Sequence, residues 1–156
     1  MDKKHKIVCI GDIHGRRRQW KQIQEQEKEF DKWIFSGDYF DSREGISYDT
    51  QIANFKEILE FKIANPDKVI LLIGNHDAHY LNGWGEQYSG YDFRRHNDIN
   101  EVLQPAVDSR LLQICHRHGK YIFSHAGITK TLYFEIAASN SLSLRFTKKS
   151  SASTEP

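Results

Sequence analysis

Long apolar runs are missing from this 156-residue chain. No stretch approaches the roughly 20 consecutive apolar residues that a membrane helix needs, and the charged N-terminus does not resemble a signal peptide, so the expectation is a cytoplasmic protein with no membrane partner. Large net charge is missing too. At +1, with 22 basic and 21 acidic residues, the chain has no broad basic surface, and no nucleic-acid partner is indicated. Arg16-Arg17-Arg18 is the one tight basic run, read as the solvated first turn of a helix. Cysteine is scarce: Cys9 and Cys115 lie far apart in apolar, strand-like contexts. That excludes a disulfide scaffold and a CxxC zinc site, and leaves two buried free thiols as the expectation. A GxxxxGK phosphate loop is absent, which argues against a nucleotide-binding domain of that class. There is no internal repeat.

What is present alternates between strand and helix. Lys6 to Ile10 is a short β-branched run, followed by a polar helical stretch from Arg16 to Phe30. Lys32 to Phe35 is a second strand. Ile52, Phe55, Ile58, Leu59 and Ile63 recur at helical spacing, with Pro66 marking the helix end. Val69 to Ile73 is a third strand, Asn82 to Asn97 a long loop, Ile99 to Leu112 a helix, and Leu112 to Ser124 a strand pair. With 38% hydrophobic residues there is material for one core, and the alternation predicts an α/β architecture with a largely parallel sheet.

The chemistry sits at the strand ends. Four predicted strands each run into a Gly-containing turn: Gly11-Asp12-Ile13-His14-Gly15, Gly37-Asp38-Tyr39-Phe40-Asp41, Gly74-Asn75-His76-Asp77 and Ser124-His125-Ala126-Gly127. In open α/β sheets the carboxyl ends of strands line one crevice, so these residues are expected to converge. Asp and His without thiolate suit divalent cations such as Mn, Fe or Zn. Two such ions roughly 4 Å apart can activate a water and clamp a phosphoryl oxygen. Asn75 fits as a neutral oxygen ligand. His76 fits a proton donor to a leaving alcohol, if a carboxylate such as Asp41 holds its tautomer.

In that order after strands, the four motifs resemble the calcineurin-like metallophosphoesterases, most closely the serine/threonine-phosphatase-like branch, over about residues 6 to 130. The resemblance implies a β-sandwich flanked by helices, and two metal ions. It implies that Asp12 and His14 bind the first metal, Asp38 bridges, and Asn75 and His125 bind the second. It implies His76 as general acid paired with Asp41, direct attack by a metal-held hydroxide, and a phosphomonoester substrate of phosphoprotein or nucleotide type. Arg43, with Asn75, is the substrate-binding candidate, although Arg43 stands one position later than the family's arginine.

Family members continue past the fourth motif with further strands and a histidine beside a glycine. Here a helix-like stretch from Thr129 to Ser139 gives way to a Ser/Thr/Lys-rich tail without histidine. The expectation is therefore a domain over 1–139 and a disordered tail over 140–156, truncated relative to the family. Its second metal site would be one ligand short, so a catalytically impaired remnant that still binds metal or a partner protein is the alternative reading. His116 and His118 are expected to be solvent-exposed and His79 to lie near the site. Tyr80, Trp84, Tyr88, Tyr91 and Phe93 form either a substrate-facing wall or the packing under the long loop.

Overall fold

The computed structural model describes residues 6–27 and 29–130, and the backbone of 141–142. Strands β1 (Ile7–Ile10), β2 (Lys32–Phe35), β3 (Val69–Leu72) and β4 (Leu112–Gln113) form a parallel sheet in sequential order. Ile10 pairs with Phe35, Phe35 with Leu71 and Leu71 with Leu112, so the strands end at one edge. The turns that follow β1, β2 and β3 therefore open side by side.

Strand alternation assigns the two faces. Trp33, Phe35, Val69 and Leu71 join the main core, while Ile34, Ile70 and Leu72 form a smaller cluster on the opposite face. Helices α1 (Arg17–Gln26), α2 (Tyr48–Ala64) and α4 (His96–Asp108) cover the first face with Trp20, Phe55, Ile58, Ile99 and Leu103. Burying side chains of this size contributes roughly 1.5–3 kcal/mol each. Trp20 also donates from Nε1 to Asn54 Oδ1 at 2.8 Å, which satisfies two buried polar groups and ties α1 to α2. Ser47 caps α2 by accepting from the Thr50 N–H at 3.2 Å.

A second sheet has the order β6-β5-β7, from β5 (Cys115–His118), β6 (Tyr121–Ser124) and β7 (Ser141–Leu142). β5 and β6 form an antiparallel hairpin. Phe123 of β6 packs on the Ile34–Ile70–Leu72 cluster, so the hairpin lies over the face that the helices leave uncovered. The architecture is the expected one: two sheets, with helices on the outer face of the parallel one. The parallel-sheet reading describes the first sheet alone.

Several boundaries differ from expectation. The Leu112–Ser124 strand pair is three strands: β4 joins the parallel sheet, and the chain crosses to the second sheet at Ile114. A two-residue strand such as β4 is too short to carry a period. Helix α1 stops at Gln26 instead of Phe30: positions 26 and 27, the next turn after Ile23, are Gln and Glu and offer no apolar contact. α4 begins inside the expected loop, after a 3-10 turn at Phe93–Arg95 that Asp92 caps, and ends at Asp108. Cys115 is buried but Cys9 is exposed, because β1 is an outer strand and Cys9 points away from the main core. His116 and His118 are partly buried on β5, not exposed. The expected boundary at 139/140, the tail, and the 129–139 helix from residue 131 onward lie outside the described residues, apart from the pairing of 141–142 with β5. No helix among the described residues is long and apolar enough to cross a membrane.

Candidate active site

The turns after β1 and β2 carry unusual backbone. Asp12, His14, Asp38 and Asp41 have φ of 44°, 41°, 55° and 59°, in the left-handed region that costs a side-chain-bearing residue roughly 1–2 kcal/mol. Four strained positions at adjacent turns mark a place where the fold aims side chains at the expense of stability. Hydrogen bonds from the His14 N–H to the Asp38 carbonyl (2.7 Å) and from the Gly15 N–H to the Tyr39 carbonyl (3.0 Å) lock the two turns together.

The turn after β3 is held by Asp77, which is fully buried. Its carboxylate accepts the N–H groups of Gly74 (2.8 Å), Asp38 (2.8 Å) and Tyr39 (2.7 Å). These contacts require close approach. A Cβ on Gly74 would fall within the Asp38 carboxylate and backbone nitrogen, and one on Gly37, at φ +99°, would fall on Gly74. The sequence reading places Asp77 among the metal-capable residues; the structure makes it a brace between turns. Its position three residues after Gly74, at the start of the short helix α3 (Asn75–Ala78), was the available signal.

Two donor sets share Asp38. In the first, the ligand atoms of Asp12, His14 and Asp38 all lie within 4.8 Å of one another. His14 donates from Nδ1 to the Phe40 carbonyl at 2.5 Å, which leaves its Nε2 lone pair facing Asp38 Oδ2 at 3.7 Å. In the second, His125 donates from Nδ1 to the Ser36 carbonyl at 2.9 Å. Its Nε2 then faces Asn75 Oδ1 at 3.0 Å and Asp38 Oδ1 at 3.4 Å. Backbone carbonyls fix both tautomers, a common arrangement for metal-ligating histidines. With neutral imidazoles each set turns electron-pair atoms toward a common point, which a cation satisfies. Asp12, His14 and Asp38 fit a divalent ion, and Asn75 and His125 add further donor atoms on the other side of Asp38.

His76 stands beside these sets. Its N–H donates to Asp38 Oδ1 at 3.0 Å, and its Nδ1 meets Asp41 Oδ2 at 3.0 Å. Its ring lies edge-on to that of His14 at 5.2 Å. Asp41 is buried and receives the Tyr80 hydroxyl at 2.7 Å and the Tyr48 hydroxyl at 3.4 Å, both on Oδ1. His79 is buried below, with Nε2 2.8 Å from Asp41 Oδ2 but out of line for a hydrogen bond. Asp41, His76 and His79 are close enough to hold a metal, yet Asp41 already has its donors, so this group reads as an orienting network. Burial and Asp41 hold the Tyr80 hydroxyl well above its usual pKa, which keeps it a donor.

A polar pocket of about 340 Å³ opens over the site, lined by Asp12, His14, Asp38, His76, Arg43 and Glu44 among others. Arg43 is exposed at its rim and reaches Ser89 at 3.4 Å. The aromatic residues of the 80–93 segment divide. Tyr80 and Tyr91 pack with His79 beneath the loop, Phe93 is exposed, and Trp84 and Tyr88 line an apolar cleft that reaches Asn75 and His125.

The calcineurin-like phosphoesterase family matches residues 5–153 of the chain. Among solved structures, the chain is similar to a protein serine/threonine phosphatase from Saccharomyces cerevisiae with similarity to human phosphatase PP5, at a TM-score of 0.54 and 18% identity. That similarity covers 80% of this chain and 39% of the yeast one. At this identity it concerns the fold. No curated protein matches the chain.

Proposed function

The chain belongs to the calcineurin-like phosphoesterase family, and we propose that it hydrolyses phosphomonoesters of phosphoprotein or nucleotide type with two divalent metal ions. The observation that carries this reading is Asp38, whose two oxygens face His14 on one side and His125 on the other, 3.7 and 3.4 Å away. Asp12, His14 and Asp38 would hold one ion, and Asp38, Asn75 and His125 the other. Such a pair supplies Lewis-acid polarisation of the phosphoryl oxygen and lowers the pKa of a water.

The remaining steps belong to the side chains. Arg43, at the rim of the polar pocket, binds the phosphate's free oxygens with its fork of donors. Asn75 offers its amide to the same phosphate. His76 presents Nε2 to the pocket and gives its proton to the leaving oxygen, so that the alcohol departs neutral. Asp41 holds His76 in the tautomer and orientation that make this transfer possible, and the Tyr80 and Tyr48 hydroxyls hold Asp41. Asp41 thus acts through His76. The side chains include no covalent nucleophile in this scheme.

With Mn-loaded protein, hydrolysis of an aryl phosphate is the expected outcome. His76→Asn should lower kcat by roughly 10²–10⁴ while Mn still binds. A folded sample with no metal-dependent turnover above the blank would overturn the enzymatic reading.

A further inference from the structure

Beside the catalytic pocket lies a second, larger one of about 770 Å³, lined by Arg16, Arg17, Arg18, Gln22, Glu44 and Thr50 among others. Arg16 and Glu44 line both pockets, so the two share a wall. The basic run is the exposed first helical turn that the sequence suggested, and it also forms one side of an open groove that adjoins the site.

The charges in this cavity do not cancel. Arg16 pairs with Glu44 at 2.9 Å, Arg17 with Glu57 at 2.6 Å, and Lys21 with Glu57 at 3.3 Å. Lys21 and Glu57 lie outside the lining, which itself holds three guanidinium groups and one carboxylate, an excess of two positive charges. Arg18 has no ion pair or hydrogen bond to any described residue, although it lines the pocket. The Nε of Arg16 is buried without a hydrogen-bond partner among the described residues, while its Nη2 donates to the Asp12 carbonyl. Arg16 is thus anchored to the first site turn. Guanidinium groups of this kind match phosphate oxygens bidentately, and a dianionic phosphate matches the excess charge.

We propose that the Arg16–Arg18 pocket binds a second phosphate of the substrate while the first lies over Asp38, so that small molecules with two phosphates are preferred to simple monoesters. This rests on the phosphoesterase reading for the orientation of the substrate. The pocket itself can be tested without catalysis. The second phosphate can be carried on the sugar or through an anhydride, and the test separates the two.

Mn-loaded full-length protein carrying His76→Asn, which keeps the metal and slows turnover, is titrated by calorimetry with AMP, ADP and adenosine 3′,5′-bisphosphate, which place zero or one extra phosphate on a fixed scaffold. At least one of the two doubly phosphorylated probes is expected to bind about ten-fold more tightly than AMP. Arg18→Ala, with its melting temperature compared to confirm folding, should bring that ratio within two-fold of one. In the Mn-loaded enzyme the same ratio should appear in KM and not in kcat. A ratio near one with Arg18 in place overturns the proposal, as does a ratio that Arg18→Ala leaves intact. A ten-fold ratio lost in Arg18→Ala, but with no turnover of any phosphoester, supports the pocket and overturns the enzymatic reading instead.

Discussion

Asp77 spends its whole carboxylate on backbone: Oδ2 accepts the N–H groups of Gly74 and Asp38, and Oδ1 that of Tyr39. An amide cannot replace it, because whichever way Asn is turned its NH2 meets at least one of these N–H groups. An unsatisfied buried donor pair costs roughly 1–3 kcal/mol. Asp77→Asn is therefore expected to lower stability by about 2–3 kcal/mol, read as a drop in the urea midpoint. A change below about 0.5 kcal/mol would show that Asp77 does not brace the turns. The positions of Asp12, His14, Asp38, Asn75, His76 and His125 were legible in the sequence, because each follows a predicted strand in a Gly-containing turn. The residues behind them were not. Tyr48 and Tyr80 reach Asp41 from α2 and from just past α3, and the carbonyls of Ser36 and Phe40 fix the two ligand tautomers. Tyr80 lies 39 residues from Asp41 and Tyr48 seven residues away across a turn, neither pair within one helix or strand whose period could be read, and backbone acceptors leave no side-chain signature at all.

At the scale of elements, β1 to β3 were legible as short apolar runs before turns and α2 from its helical period, whereas the division of 112–124 between two sheets was not. The consequence falls on β5. Once the chain crosses to the second sheet, the hairpin lies over the opposite face of the parallel sheet, and His116 is carried inward with it. Both of its ring nitrogens are buried and lack a hydrogen-bond partner among the described residues. Burial, followed by the nearby charges of Lys32, His118 and Lys62, pushes its pKa down to about 4. An ordinary histidine titrates near 6.5. Between those values the unfolded chain takes up a proton that the folded chain refuses, so this contribution to stability is whole above pH 6.5 and is lost as the pH falls toward 4. With solvent screening of a half-buried group, the loss amounts to about 1–2 kcal/mol. His116→Gln removes the titration. Comparing urea unfolding at pH 7.5 and 4.5, the unaltered protein should lose about 1–2 kcal/mol more than the variant, and equal losses would show that His116 is not the group responsible.

For the whole molecule, the site joins what the topology separates. Asp12, His14, Asp38 and Asn75 come from turns of the parallel sheet, and His125 comes from the end of β6 in the antiparallel one. The sheets meet through a small cluster, Ile34, Ile70 and Leu72 with Phe123 against it, while most of the apolar core lies on the helical side. A cation between Asp38, Asn75 and His125 would thus add to this cluster, and to the His125–Ser36 hydrogen bond, a further tie between the sheets. Any ligand bound by the folded state alone stabilises it by mass action, about 2.7 kcal/mol at 100 times its dissociation constant. For a domain of this size that corresponds to roughly 5–10 °C in melting temperature. Saturating Mn is expected to raise the melting temperature of the metal-stripped protein by about that much. His125→Ala should keep the part of the rise due to the Asp12–His14–Asp38 set and lose at least half of the total. The quantity compared is the rise on adding metal within each protein, so any destabilisation by the substitution itself drops out. An undiminished rise in His125→Ala would mean that the cation is held by the parallel sheet alone.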